Sequence, residues 1–179
     1  MLVAACGSNA QHNGKQAAQQ ARRVVAQEYW RTIRVLTGNI FKGKDGPDGD
    51  GGFDNCGSEA SPGVKYEIIS ALTDPDRHQS WARFAGVIQQ DLRRSGWHGF
   101  HTLGSDDPDV QSYLVGVKSG LTVSIGKPAN SSPPTSALTT LSGSCVDVSP
   151  GIANAVAGRT DDRYPFDRAS ESPVPTTFP

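Results

Sequence analysis

No stretch of this 179-residue chain approaches the ~20 consecutive apolar residues that a membrane-crossing helix needs. Charge of one sign is equally lacking. Seventeen Lys and Arg stand against eighteen Asp and Glu, a net charge of −1, so no global field draws the protein to nucleic acid or to an anionic bilayer. No internal repeat is visible. Motifs for chemistry are missing too. The nearest approach to G-x-S-x-G is "LTVSIG", where Thr122 replaces the first glycine and a Pro-rich loop follows in place of a helix. There is no G-x-x-x-x-G-K-[ST] phosphate loop and no G-x-G-x-x-G after a strand. The sequence therefore gives no catalytic residue and no cofactor. Cysteine is scarce and odd in number: Cys6, Cys56 and Cys145. In an exported protein that count leaves one thiol over.

What is present begins with Val3-Ala4-Ala5-Cys6. This run resembles a bacterial lipobox: an aliphatic residue, two small residues, then cysteine. The resemblance implies that Cys6 carries a thioether-linked diacylglycerol as the mature N-terminus. It places the protein on the extracytoplasmic face of the cell membrane, with that membrane as its partner through the lipid. Residues 7–14, "GSNAQHNG", are polar and Gly-containing, and are expected to be a flexible tether. A signal peptide needs a charged segment and an apolar run of roughly 7–15 residues. Only Met1-Leu2 precede the motif, so residues 1–6 as written are not expected to direct export; a start assigned too late and a trimmed chain are the two alternatives. Without the resemblance, the opening is an N-terminal peptide with an incidental cysteine.

With Cys6 lipidated, two cysteines remain. Paired, Cys56 and Cys145 close a loop of about 90 residues, worth on the order of 4–5 kcal/mol in the chain-entropy model. Such a bond persists outside the reducing cytosol. The alternative is two buried free thiols.

Residues 15 to 36 carry apolar side chains at Ala18, Ala21, Val25, Tyr29, Ile33 and Leu36, the spacing of an amphipathic helix. Arg22, Arg23, Arg31 and Arg34 read as its solvated face. Residues 37–63 are too rich in glycine for a helix or central strand. "VKYEIISALT" alternates and is β-branched, which predicts a strand over 64–73. The next segment is a helix, with Asp74 as cap, Pro75 in the first turn and Gly96 at the stop; Trp81, Phe84, Ala85, Ile88 and Leu92 form its core stripe. "WHGFHTL" is a strand. "VQSYLVGVKSGLTVSIG" is a hairpin turning at Lys118-Ser119-Gly120. "ALTTLSGSCVDVS" is the last strand. The chain is thus expected to be α+β over 15–150, a two-layer sandwich with two main helices on one face of a mainly antiparallel sheet. Residues 151–179 read as a disordered tail.

This order of features is similar to that of small cell-envelope lipoproteins of high-GC Gram-positive bacteria. The similarity rests on "VAAC", the early helix, a mid-chain cysteine, the strand–helix pair, the "YLVGVKSGLTVSIG" hairpin and the late "SGSCVDV", and spans residues 3–148. It implies an anchored envelope protein without implying a reaction. Three readings follow: an anchored domain that binds a ligand or protein without catalysis, an extracytoplasmic hydrolase with an unrecognised site, or a cytosolic protein with an incidental Cys6.

Two groups of residues have metal-ligand chemistry. Asp45, Asp48, Asp50, Asp54 and Glu59 share a Gly-rich stretch. Counted from Asp48 as a calcium loop, however, Gly52 falls where a ligand is needed and Phe53 where a glycine is needed. His98 and His101, followed by Asp106 and Asp107, are three apart, and on a regular strand would point to opposite faces. No metal site is expected from either.

Overall fold

The computed structural model describes residues 6–39, 48–73, 80–103, 111–127 and 136–164. Helix α1, Cys6–Asn39, is 34 residues long. Two strands follow, β1 (Gly49–Asn55) and β2 (Gly63–Thr73), then helix α2 (Trp81–Arg94). Strands β3 (His98–Leu103), β4 (Ser112–Lys118), β5 (Leu121–Lys127), β6 (Ser136–Ser142) and the short β7 (Val146–Asp147) come next. The short helix α3 (Pro150–Val156) and strand β8 (Arg159–Tyr164) complete the described chain. The strands form one sheet in the order β3-β4-β5-β6-β2-β1-β8, and every strand pair is antiparallel. The fold is α+β, as the pattern of elements predicts.

One face of the sheet is covered. Alternate residues of β2, Val64, Tyr66, Ile68 and Leu72, are buried against α1, whose inward face carries Val25, Ala26, Tyr29, Trp30, Ile33 and Leu36. Period two on the strand meets period 3.6 on the helix, which is what lets each element bury one side. Helix α2 buries Trp81, Phe84, Ala85, Ile88 and Leu92. It begins at Trp81, with the Ser80 hydroxyl accepting from the Arg83 amide, so the cap is Ser80. The expected start at Asp74-Pro75 lies outside the described residues. The chain leaves α2 through Gly96 at φ +89°, a conformation that favours glycine. The hairpin between β4 and β5 turns at Ser119 (φ 50°) and Gly120 (φ 80°), the two positive values of a type I′ turn. Lys118, at that turn, donates to Glu28 of α1 at 2.6 Å and to the Ser95 carbonyl at 2.8 Å, joining the hairpin to both helices.

Four sequence expectations are corrected. First, residues 49–55 form a strand paired on both sides, by β2 and β8. Gly49 and Gly51 are required by what lies above them. A Cβ on Gly51 would collide with the Tyr66 hydroxyl and lie 2.6 Å from Tyr164 Cε2; one on Gly49 would lie 2.6 Å from the Tyr29 oxygen. Aromatic rings fill the space a side chain would take. Gly51→Ala should therefore cost roughly 1–3 kcal/mol by overpacking, read as a lower midpoint in urea unfolding. An unchanged midpoint would mean the rings are free to move.

Second, residues 151–164 are not a tail. Helix α3 buries Ile152, Ala153 and Val156, and β8 buries Asp162 and Tyr164. The strand "RTDDRY" escaped notice because only Asp162 and Tyr164 of its described side chains face inward, while Arg163 is exposed. Residues 165–179 lie outside the described residues.

Third, residues 7–14 are helical, because α1 starts at Cys6. Gly14 is already buried, with Val148 Cα 3.4 Å and Ile152 Cδ1 3.5 Å from where its Cβ would be. Fourth, Arg22 is buried at 4% exposure and is not part of the solvated face.

Candidate functional site

The last expected strand is split in two. β6 runs along β2 from Thr73 to Glu67, the Gly143 amide then donates to the Tyr66 carbonyl at 2.9 Å, and β7 resumes the pairing at Val64 and Gly63. The intervening excursion carries Cys145 to Cys56. Their sulfurs are bonded, with Cα atoms 5.8 Å apart, inside the roughly 4.4–6.8 Å that a disulfide allows. The bond fastens the β6–β7 excursion to the end of β1. Beside it the turn 56–63 folds back on itself: the Cys56 amide donates to the Gly63 carbonyl at 3.1 Å, and Ser58 and Ser61 exchange backbone bonds at 3.0 and 3.2 Å.

This turn and α3 enclose a cleft of about 350 Å³, within the range of roughly 300–1,000 Å³ typical of ligand pockets. Asn55, Ser58, Glu59 and Asn154 supply its polar groups, and Pro62, Pro150 and Ala153 its apolar ones. Among the described residues that line it, Glu59 alone is charged. Such a surface can hydrogen-bond a small polar molecule that is uncharged or cationic.

A second polar cluster lies under α1. Arg22 Nε donates to Asp162 Oδ2 at 2.6 Å, and Arg22 Nη2 donates to Oδ1. The Tyr66 hydroxyl also donates to Oδ2, and it contacts the Tyr164 hydroxyl at 2.8 Å. A carboxylate only accepts, so the Tyr66 proton is committed to Asp162 and Tyr164 must donate to Tyr66. The order is Tyr164 to Tyr66 to Asp162, with Arg22 closing the other side. Burial would lower the pKa of Arg22, but its hydrogen bond and charge contact with Asp162 outweigh this, and the net shift is upward. Burial, reinforced by neighbouring acidic groups, pushes Tyr29 and Tyr164 up to about 12 and Tyr66 above the ordinary phenol range.

These shifts have a pH consequence. A phenol whose pKa is raised in the fold keeps its proton where the unfolded chain has lost it. Stability from Tyr29, Tyr66 and Tyr164 is thus complete below about pH 10 and falls as pH rises from 10 towards 12. The slope is about 1.4 kcal/mol per pH unit for each group. In an alkaline titration followed by phenolate absorbance, three of the four tyrosines should ionise together with loss of the fold. Independent ionisation of all four near pH 10 in a protein with native circular dichroism would contradict the buried cluster.

The other candidate metal-ligand residues are spread out. Asp50 and Asp54 sit four apart on β1, about 13 Å along the strand. Asp50 pairs with Arg163, and Asp54 lies 3.9 Å from Lys65. Lys65 is raised in pKa by its hydrogen bond to Glu67, 2.6 Å away. Glu59 faces the cleft. Asp45 lies outside the described residues, as do Asp106 and Asp107. Among the described residues no three metal-ligand side chains converge. His98 and His101 do share a face, because β3 is bulged between them: His98 pairs with Val117 and His101 with Val115. The cluster at Arg22 escaped sequence reasoning because its members come from residues 22, 66, 162 and 164, with no local spacing to connect them.

Compared with known proteins, the chain matches no family model, no curated protein and no solved structure.

Proposed function

We propose that the protein is a lipid-anchored domain on the extracytoplasmic face of a bacterial cell membrane. It serves there as a non-catalytic binding or structural module of the envelope. The observation that carries this reading is the distribution of its three cysteines. Cys56 and Cys145 occupy each other, and the remaining one, Cys6, is the one that stands in V-A-A-C. A lasting disulfide belongs to a compartment outside the reducing cytosol, which is where a lipobox would deliver the chain. Among the described residues no helix is long and apolar enough to cross a membrane, so attachment in this reading falls to the lipid. Each buried methylene contributes about 0.8 kcal/mol, so two acyl chains hold where one does not.

In this reading α1 is the mast. Eight helical steps from Cys6 to Gly14 rise about 12 Å, and at Gly14 the helix meets Val148 and Ile152. The cleft between the 56–63 turn and α3 lies beside that contact and is the place offered to a small polar ligand.

The test is Cys6→Ser, produced behind an export signal and compared with the parent by membrane fractionation. The variant should be released as soluble protein or stay as uncleaved precursor. A serine variant that is processed and remains as firmly on the membrane would show that the anchor is something other than lipid on residue 6.

A further inference from the structure

The uncovered face of the sheet carries a pair of imidazoles that the sequence spacing alone would separate. Residues three apart on a regular strand point to opposite sides. In β3 the register shifts between His98 and His101, and Gly99 takes φ +61° in the left-handed region. The extra residue turns His101 back to the side of His98. Directly opposed residues of an antiparallel pair share a face, so both histidines stand with Val115 and Val117 of β4. Phe100, between them, goes the other way: its ring fills the space over Gly116 and packs against the core. Val115 and Val117 are two apart, which sets the two histidine positions about 7 Å apart along the strand. Two imidazoles with metal–nitrogen bonds of about 2 Å can close on one ion across that separation. Both side chains are exposed.

We propose that His98 and His101 form a two-imidazole site for a borderline divalent cation of the zinc, nickel or copper class, with water completing the coordination. Imidazole nitrogen favours these ions over calcium or magnesium, which take oxygen. The site is independent of the anchor and of the cleft.

The experiment is calorimetric titration of the purified protein with zinc chloride and, separately, nickel chloride. The parent should take up one ion per chain in the micromolar range. His98→Ala and His101→Ala should each weaken binding at least about tenfold, the loss of one chelating arm (about 1.4 kcal/mol). The chain's other histidines are His12 and His78, and the double variant His12→Ala/His78→Ala should bind like the parent. Circular dichroism shows whether each variant keeps the fold. The proposal fails if the parent binds neither ion up to millimolar concentration, if the His98 and His101 variants bind undiminished, or if affinity is lost with His12 and His78.

Discussion

Asp162→Ala should lower the unfolding free energy by about 3–5 kcal/mol. This is the effect of leaving a buried guanidinium without its carboxylate. Arg22 is 4% exposed, and both of its bonds to Asp162 come from the face of α1 pressed on the sheet. Tyr66 loses its acceptor in the same variant, and the Tyr164 hydroxyl loses the order that Tyr66 imposes on it. For a chain of this size the melting temperature should fall by roughly 10 °C. Arg22→Ala should cost a similar amount, because it strands the buried carboxylate. The double variant should cost clearly less than the sum, since neither charge is then left alone. Additive losses in urea unfolding would show that the two side chains do not depend on each other. Ending the chain after Pro150 removes Asp162 and Tyr164 together with the buried Ile152 and Val156. That loss approaches the whole stability of an ordinary domain, so the shortened protein should fail to fold.

Replacing Cys56 and Cys145 together by serine should cost about 4–5 kcal/mol. The bonded residues are 89 apart in sequence, and the cross-link removes the freedom of that loop from the unfolded chain. The bond also secures the excursion between β6 and β7, which otherwise holds to β2 through the Gly143 bond and two paired residues. The cleft should loosen at the same time, since the 56–63 turn begins at Cys56. Denaturant unfolding of oxidised and reduced parent measures the same quantity without substitution. Equal midpoints would mean that the unfolded chain is already compact around this pair.

The parts of the fold that were legible in the sequence are those whose signal is local. Helix α2 shows its stripe within one segment, and its stop at Gly96 is a single residue. The β4–β5 hairpin is marked by Ser119-Gly120. Strand β2 alternates along its own length. The parts that were not legible owe their structure to distant residues. β1 holds a strand because β2 and β8 pair with it and because tyrosines from α1, β2 and β8 cover Gly49 and Gly51. β8 is charged along its length and is stabilised at Asp162 by a residue 140 positions away. Arg22 looks like its exposed neighbours Arg23 and Arg34 until that carboxylate is in place. The His98–His101 pair depended on a bulge, and "HGFH" shows where one is allowed without showing that it occurs. The cleft has no motif, because its walls meet only after the disulfide and α3 are in position.

Lipid attachment at Cys6 can be read by mass analysis of the protein taken from the membrane of an expressing bacterium. Digested without reduction, the protein should yield an N-terminal peptide beginning at Cys6 and bearing a diacylglycerol thioether. It should also yield a linked pair of peptides containing Cys56 and Cys145. An N-terminal peptide that still contains residues 1–5 with an unmodified Cys6, or a Cys6 bonded to either of the other cysteines, would overturn the lipid anchor.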